Sequence, residues 1–166
     1  FIGFSGPDAT AFADAYLAPP WIDTLDFAEV DCLVMATLGL AYPTTAKALA
    51  RPQEKVQAAG GKLVIDLHWR AVFWPEVALA APQIRPFLAT ADLLKLSREE
   101  ALWLLDTDSA TEICQQFPRC QAVLLTDGGN GSTCATKHHT VALPAFEVAS
   151  IDTTGAGDAF LAGVIH

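Results

Sequence analysis

The chain has 166 residues, of which 52% are hydrophobic and 17% are charged, and its formal net charge is −9. This composition predicts one globular domain over residues 1–166 and excludes a disordered or fibrous chain. The negative charge argues against a nucleic-acid partner, because phosphate backbones are bound by Lys and Arg surfaces. It does not exclude a smaller phosphate ligand, since backbone amides and a helix N-terminus can supply a local positive field.

Apolar runs alternate with helical stretches, which is typical of strand–helix–strand units and a largely parallel sheet. In chain order, we predict a strand end or edge at residues 2–4 and a short helix at 12–17. Pro19-Pro20 is predicted to break the chain. Strands follow at 32–36, 63–66, 93–96 and 122–126, with a hairpin of 132–135 and 140–143. Helices are predicted at 43–59 (ended by Gly60-Gly61), 75–88 as one or two pieces, 98–105 after a Ser97 cap, 111–117, and from about residue 156.

No apolar run reaches the roughly 18 to 20 residues of a membrane span. The opening residues 1–6 have neither the basic region nor the cleavage pattern of a signal peptide. We therefore expect no membrane partner and a cytoplasmic location, or an organelle stroma if a transit peptide is missing. Because Met35 is the single methionine and the chain stops at His166 within a predicted helix, we expect an interior piece of a longer protein.

The cysteine and histidine side chains form no ligand pattern. The four cysteines lack a Cys-x-x-Cys pair, which favours buried free thiols over a metal or redox site. His138 and His139 are predicted to lie in a solvated hairpin turn. Trp69 and Trp74 are predicted to pack under a loop rather than to meet a ligand.

The segment from Asp152 to Asp158, DTTGAGD, carries the strongest chemical signal. Its small residues Gly155, Ala156 and Gly157 leave backbone amides open at a helix start, where the helix dipole favours an anion. A carboxylate in the same turn then places a base beside an anion hole, which suits transfer of a phosphoryl group to a hydroxyl. A glycine-rich helix cap with an acidic first turn explains the spacing equally well.

Together with the AFLAG that follows, this segment closely resembles the C-terminal signature of the ribokinase-like (PfkB) carbohydrate kinases. The resemblance implies that Asp158 is the catalytic base and that Gly155, Ala156 and Gly157 form the anion hole. It further implies a monovalent cation, K⁺, held by Asp152 and the carbonyl of Thr154.

Residues 125–131, LTDGGNG, resemble the family's Thr-x-Gly-x-x-Gly turn, which lies along the nucleotide. The resemblance implies ATP binding by Thr126, Gly128 and Gly131, with Lys95 as a further ATP-binding residue. A strand that ends in Thr before a glycine turn exposes amides for phosphate or ribose. A plain hairpin turn is the alternative explanation.

Residues 95–100, KLSREE, resemble the segment with the family's Asn-x-x-Glu motif, with Ser97 in place of Asn. The resemblance implies that Glu100 orders water around Mg²⁺. A capping box of Ser97 and Glu100 explains the same residues, and both functions can hold at once.

Residues 66–74, DLHWRAVFW, resemble a segment of the fructokinase-type members, with His68 where Asn is usual. They follow a predicted strand, where ligand crevices lie in parallel sheets. The resemblance implies substrate binding by Asp66, Arg70 and Asp158.

The resemblance implies an α/β, ribokinase-like fold: a mostly parallel sheet flanked by helices on both faces, incomplete at both ends. It implies ATP- and Mg²⁺-dependent phosphorylation of a sugar, with fructose as the first choice and a sugar acid or nucleoside as alternatives. A catalytically silent regulatory protein is a further alternative. Because the sugar-binding and lid part of the family is missing, we expect residues 1–166 alone to be inactive. A homodimer of the full-length protein is compatible with the resemblance. A dinucleotide-binding oxidoreductase is disfavoured, because no Gly-x-Gly-x-x-Gly follows the first strand.

Overall fold

A computed structural model of the chain describes residues 13–166. Within these residues there are six α-helices: α1 (Pro19–Asp23), α2 (Pro43–Ala58), α3 (Ala80–Leu88), α4 (Arg98–Leu105), α5 (Ala110–Gln116) and α6 (Ala156–Ile165). The strands are β1 (Cys32–Ala36), β2 (Lys62–Asp66), β3 (Leu93–Ser97), β4 (Ala122–Thr126), β5 (Ser132–Thr136) and β6 (Thr140–Leu143). The strand predicted at residues 2–4 lies outside the described residues. The described part of the predicted 12–17 helix is a 3-10 turn at Ala13–Tyr16.

The strands form one six-stranded sheet in the order β1-β2-β3-β4-β5-β6. The first four strands run parallel, and the last two add an antiparallel hairpin at one edge. The prediction of a mostly parallel sheet is confirmed. Because parallel strands all end on the same side, the loops after β2, β3 and β4 meet at one edge, where ligand crevices form in such sheets.

Helices cover both faces of the sheet, as predicted. The larger core lies on one face, where Ile65, Leu94 and Val123 pack against side chains of α3, α4 and α5. On the other face, Leu161 of α6 packs against Val64 and Leu124 in a smaller cluster. This second contact fixes α6 over the middle strands, so that its first turn lies near their carboxyl ends.

Local signals account for most element boundaries. Gly60 adopts a φ of +88° just after α2, a conformation that glycine tolerates and other residues rarely adopt. The Ser97 hydroxyl accepts a hydrogen bond from the amide of Glu100, and the Glu100 carboxylate accepts one from the amide of Ser97. The predicted capping box is therefore confirmed. The prediction at Pro19-Pro20 needs a correction. These residues begin α1, because the fixed φ of proline suits a first helical turn.

The outer edges of the sheet are less covered than its centre. Every residue of β6 is exposed, and Val34 of β1 is 48% exposed although it lies in a sheet strand. No helix in the described part of the chain is both long and apolar enough to cross a bilayer.

The four cysteines are free thiols, with Cys114 and Cys120 buried and Cys32 and Cys134 half-buried. Burial, with a smaller contribution from Cys114, raises the pKa of Cys120 to about 11. Since the thiolate is the reactive form, we expect iodoacetamide near pH 8 to leave Cys114 and Cys120 unmodified in the native protein. All four thiols should react in concentrated guanidinium. Peptide mass spectrometry checks this, and rapid native labelling of Cys120 would contradict it.

Candidate active site

A buried ion pair lies at the centre of the candidate site. Asp66 and Lys95 are register partners on β2 and β3, and their side chains extend from the same face of the sheet. The Lys95 Nζ atom lies 2.8 Å from Oδ2 and 3.1 Å from Oδ1 of Asp66, and the two residues are only 4% and 7% exposed. Burial raises the pKa of Asp66, and the Lys95 ammonium lowers it by a smaller amount.

Three potential ligand side chains converge beside this pair. One ligand atom each from Asp66, His68 and Asp158 lies within 4.8 Å of the others. Asp158 is exposed in the first turn of α6, and His68 follows β2 with a φ of +40°. Left-handed backbone is tolerated by Asn, Asp and His more readily than by other side chains. Lys95 contacts both Asp66 oxygens, so its ammonium offsets one of the two carboxylate charges of this cluster.

The turn before α6 is shaped by its own side chains. Oδ1 of Asp152 accepts from the amide of Thr154 at 2.8 Å and from its hydroxyl at 2.7 Å. These bonds, the hydroxyl bond above all, hold the pKa of Asp152 below its usual value. Gly155 then turns into α6 with a φ of +77°, which is why a glycine stands there.

The first turn of α6 presents open amides. The amide of Ala156 donates to the Thr153 carbonyl at 3.1 Å, and the first helical bond runs from Ala159 to Gly155. Within the described residues, the amides of Gly155, Gly157 and Asp158 have no backbone acceptor. Of the three amides predicted to form an anion hole, that of Ala156 therefore already has a backbone acceptor, whereas those of Gly155 and Gly157 are open in the described part of the chain. The remaining amides and the helix dipole still favour an anion.

Glu100 joins two parts of the site. Its Oε2 accepts from the Ser97 amide and its Oε1 from the Trp69 amide, both at 2.8 Å. The carboxylate therefore ties the start of α4 to the loop that carries His68. Arg70, predicted to bind substrate, is exposed and places Nη1 4.0 Å from the same Oε1 atom. The indoles of Trp69 and Trp103 stack at a centroid distance of 3.9 Å, so Trp69 packs as predicted.

The turn after β4 lies at the same sheet edge. Thr126 is the register partner of Ser97, and its hydroxyl donates to the Leu96 carbonyl at 3.3 Å. Gly128 and Gly131 have positive φ angles of +51° and +105°. A Cβ on Gly131 would lie 2.1 Å from the Leu143 carbonyl oxygen, so hairpin packing alone requires glycine there. A cavity of about 430 Å³ borders this turn, between it and Arg98.

The structure brings Asp66 and Asp158 close together, places Arg70 beside Glu100, and adds contacts that were not predicted from the sequence. Asp66 and Asp158 meet across 92 residues of chain, while Thr126 and Gly131 lie farther along the same edge. The position of His68 in the site and the pairing of Lys95 with Asp66 were not predicted from the sequence. Asp66 and Lys95 are both polar residues near the carboxyl ends of predicted strands that follow one another in the chain. That shared position could have indicated the pair.

Comparisons with known proteins show the family of the chain. The whole chain, residues 1–166, matches the family described as pfkB family carbohydrate kinase. A fructokinase of Salmonella thompson is 32% identical over 156 residues, covering 92% of this chain and 70% of that protein. The chain spans about half the length of several other curated relatives, 47% and 50% in two cases.

Solved structures of similar proteins share the fold. Fructokinase from Vibrio cholerae O395, bound to fructose, ADP and calcium ion, has a TM-score of 0.82 at 28% identity. That match covers 92% of this chain and 50% of the other. Aminoimidazole riboside kinase from Salmonella enterica, complexed with aminoimidazole riboside and an ATP analog, has a TM-score of 0.80 at 25% identity. It covers 93% of this chain and 52% of the other.

Proposed function

Because the chain belongs to the pfkB family of carbohydrate kinases, we propose that the protein transfers the γ-phosphoryl group of ATP to a sugar hydroxyl. The observation that carries the proposal is the approach of Asp158, Asp66 and His68 to within 4.8 Å beside the open amides of α6. A base, hydrogen-bonding groups for hydroxyls and an anion hole are the parts that this reaction requires.

In the proposed reaction, the Asp158 carboxylate accepts the proton of the sugar hydroxyl as that oxygen bonds to the γ-phosphorus. The bond from phosphorus to the β–γ bridging oxygen breaks, and ADP leaves with its electron pair. The amides of Gly155 and Gly157 donate to the phosphoryl oxygens, where negative charge accumulates. Asp66 and Arg70 hold the sugar so that its hydroxyl faces Asp158.

The metal ions of the family fit side chains at this edge. Mg²⁺ supplies positive charge to the phosphate oxygens when it is bound. Glu100 fits an indirect role through water, because two backbone amides already hold its carboxylate in place. Asp152 and the Thr154 carbonyl offer exposed oxygen atoms for K⁺, and the hydrogen bonds from Thr154 lower the pKa of Asp152 further.

For the nucleotide, we propose the turn of Thr126, Gly128 and Gly131 together with the adjoining cavity. Its glycines leave amides that a phosphate or ribose can approach. Lys95 was expected to bind ATP, but its ammonium is within hydrogen-bond distance of both Asp66 oxygens, which supports a role toward the protein's own groups.

Fructose is the first candidate for the sugar. The support is the segment from Asp66 to Trp74 and the fructokinases among the relatives. The similarity to aminoimidazole riboside kinase keeps a nucleoside-like acceptor as the alternative. We propose that the 166 residues belong to a longer kinase chain, since relatives of about twice this length match them. Mass determination of the endogenous protein tests that length.

The compartment and assembly are also proposals. We propose the cytoplasm or an organelle stroma, and one relative is named as chloroplastic. A fluorescent fusion of the full-length protein tests the location, and a membrane-bound signal would contradict it. A homodimer of the full-length protein is tested by sedimentation.

The function is tested on the full-length protein with Mg²⁺ and K⁺. ADP release is followed with fructose, ribose, 2-keto-3-deoxygluconate and adenosine as acceptors, and again with K⁺ replaced by Na⁺. We expect release that depends on fructose and weakens without K⁺. Bound ATP with no release for any acceptor would overturn the kinase function and support a silent binding protein.

A further inference from the structure

We propose that Lys95 is a positioning residue: its buried ammonium neutralises Asp66 beside Asp158 and supports the first turn of α6 under the open amides. The inference rests on the phosphoryl transfer proposed above. It differs from nucleotide binding by Lys95, because it assigns the ammonium to the protein's own groups. Two separate contacts of the Nζ atom carry it.

The first contact is the ion pair with Asp66. The register of β2 and β3 places both side chains on the face that α6 covers. The Nζ atom is within hydrogen-bond distance of both Asp66 oxygens, and Lys95 is only 7% exposed. A group in this position is poorly placed to reach a ligand through solvent. Its charge acts on Asp66, whose carboxylate lies within 4.8 Å of Asp158.

The second contact is with Gly157. A Cβ on this residue would lie 2.9 Å from Nζ and 3.7 Å from Cε of Lys95. The ammonium therefore lies against the backbone of Gly157, and a larger residue here would displace it. This contact also places a positive charge close to the first turn of α6, where it adds to the positive end of the helix dipole.

The charges around Asp66 determine what removal of Lys95 would do. Asp66 is faced by Lys95 from β3, Glu100 from α4, His68 from its own loop and Asp158 from α6. Without the ammonium, Asp158 faces an uncompensated carboxylate, which disfavours its charged form. Without the Asp66 charge, Asp158 instead faces an uncompensated cation, which favours that form. Removing both charges cancels the two effects.

The experiment compares wild type with Lys95→Met, Asp66→Asn, the double variant and the surface control Lys137→Met in the full-length protein. In the pH profile of kcat/KM, the acid limb is the rise in rate as the base loses its proton. In Lys95→Met we expect the midpoint of this acid limb to move to a pH about one unit higher. Its kcat should fall roughly 30-fold, with the KM for ATP within about threefold of wild type. Asp66→Asn should move the limb down, and the double variant should return it close to wild type.

If Lys95 and Asp66 only stabilised the fold, the two single variants would not shift the acid limb in opposite directions, and the double variant would not restore it. An unchanged limb and kcat in folded Lys95→Met would overturn the proposal, as would a raised KM for ATP with kcat retained. Lys95→Met leaves Asp66 buried without its partner, so this variant can fail to fold. In that event the double variant and Asp66→Asn are compared. The acid limb of the double variant should have its midpoint at a higher pH than that of Asp66→Asn. Equal midpoints in the two variants would overturn the proposal.

A second readout separates this inference from the proposed function. The titration of the Asp158 carboxyl group is followed by carbon-13 NMR in the same variants, without any substrate. If the wild type phosphorylates no acceptor, the proposed function fails while the NMR comparison still tests Lys95. The same opposite displacements of the Asp158 titration would support the positioning role, and identical titrations in all variants would refute it.

Discussion

Replacement of Asp158 by Asn is expected to lower kcat by about 10³-fold in the full-length protein, while ATP binding changes little. The amide has nearly the same shape as the carboxylate but cannot accept the hydroxyl proton. Asp158 is exposed and no ion pair in the described part of the chain includes it, so its removal should not destabilise the fold. The measurement is the initial rate of ADP release at saturating sugar and ATP, beside far-ultraviolet circular dichroism.

The matched control is Asp23→Asn, which changes an exposed carboxylate at the end of α1. This variant should keep the wild-type rate. Activity of Asp158→Asn within about tenfold of wild type would refute its role as the base, because general-base catalysis contributes more than that. Such a result would mean that the proton of the sugar hydroxyl passes to solvent or to a phosphate oxygen instead of to Asp158.

Replacement of Glu100 by Ala is expected to affect both stability and activity. It removes the acceptor for the amides of Ser97 and Trp69, so we expect a loss of about 2 kcal/mol in the free energy of unfolding. The loop with His68 and Arg70 loses its tie to α4, and in the proposed mechanism the water around Mg²⁺ loses a partner. We therefore expect kcat to fall about 10²-fold and the Mg²⁺ concentration for half-maximal rate to rise.

Ser97→Ala separates the cap from the other contacts of Glu100. It removes one bond of the capping box and should cost about 1 kcal/mol, with the Mg²⁺ dependence unchanged. Denaturant titration and a Mg²⁺ titration of the rate make the comparison. If Glu100→Ala and Ser97→Ala behaved alike in both titrations, Glu100 would be a helix cap and nothing more.

Features that depend on neighbouring residues could be predicted from the amino-acid sequence. The strand at Cys32–Ala36 and the capping box of Ser97 and Glu100 were predicted as found, and α6 begins at the predicted Ala156. Apolar periodicity, caps and glycine turns act over a few residues, so their pattern is visible in the chain. Pro19-Pro20 was misread, because proline both ends one segment and suits the first turn of the next.

The tertiary structure alone decided which distant groups share the site. Lys95 pairs with Asp66 across 29 residues because β2 and β3 are neighbours in this register, and a shift of one residue would turn either side chain to the opposite face. Asp158 meets Asp66 and His68 because Leu161 fixes α6 on Val64 and Leu124. Strand order, register and helix packing are set by the burial of the whole core, and no short stretch of sequence contains that information.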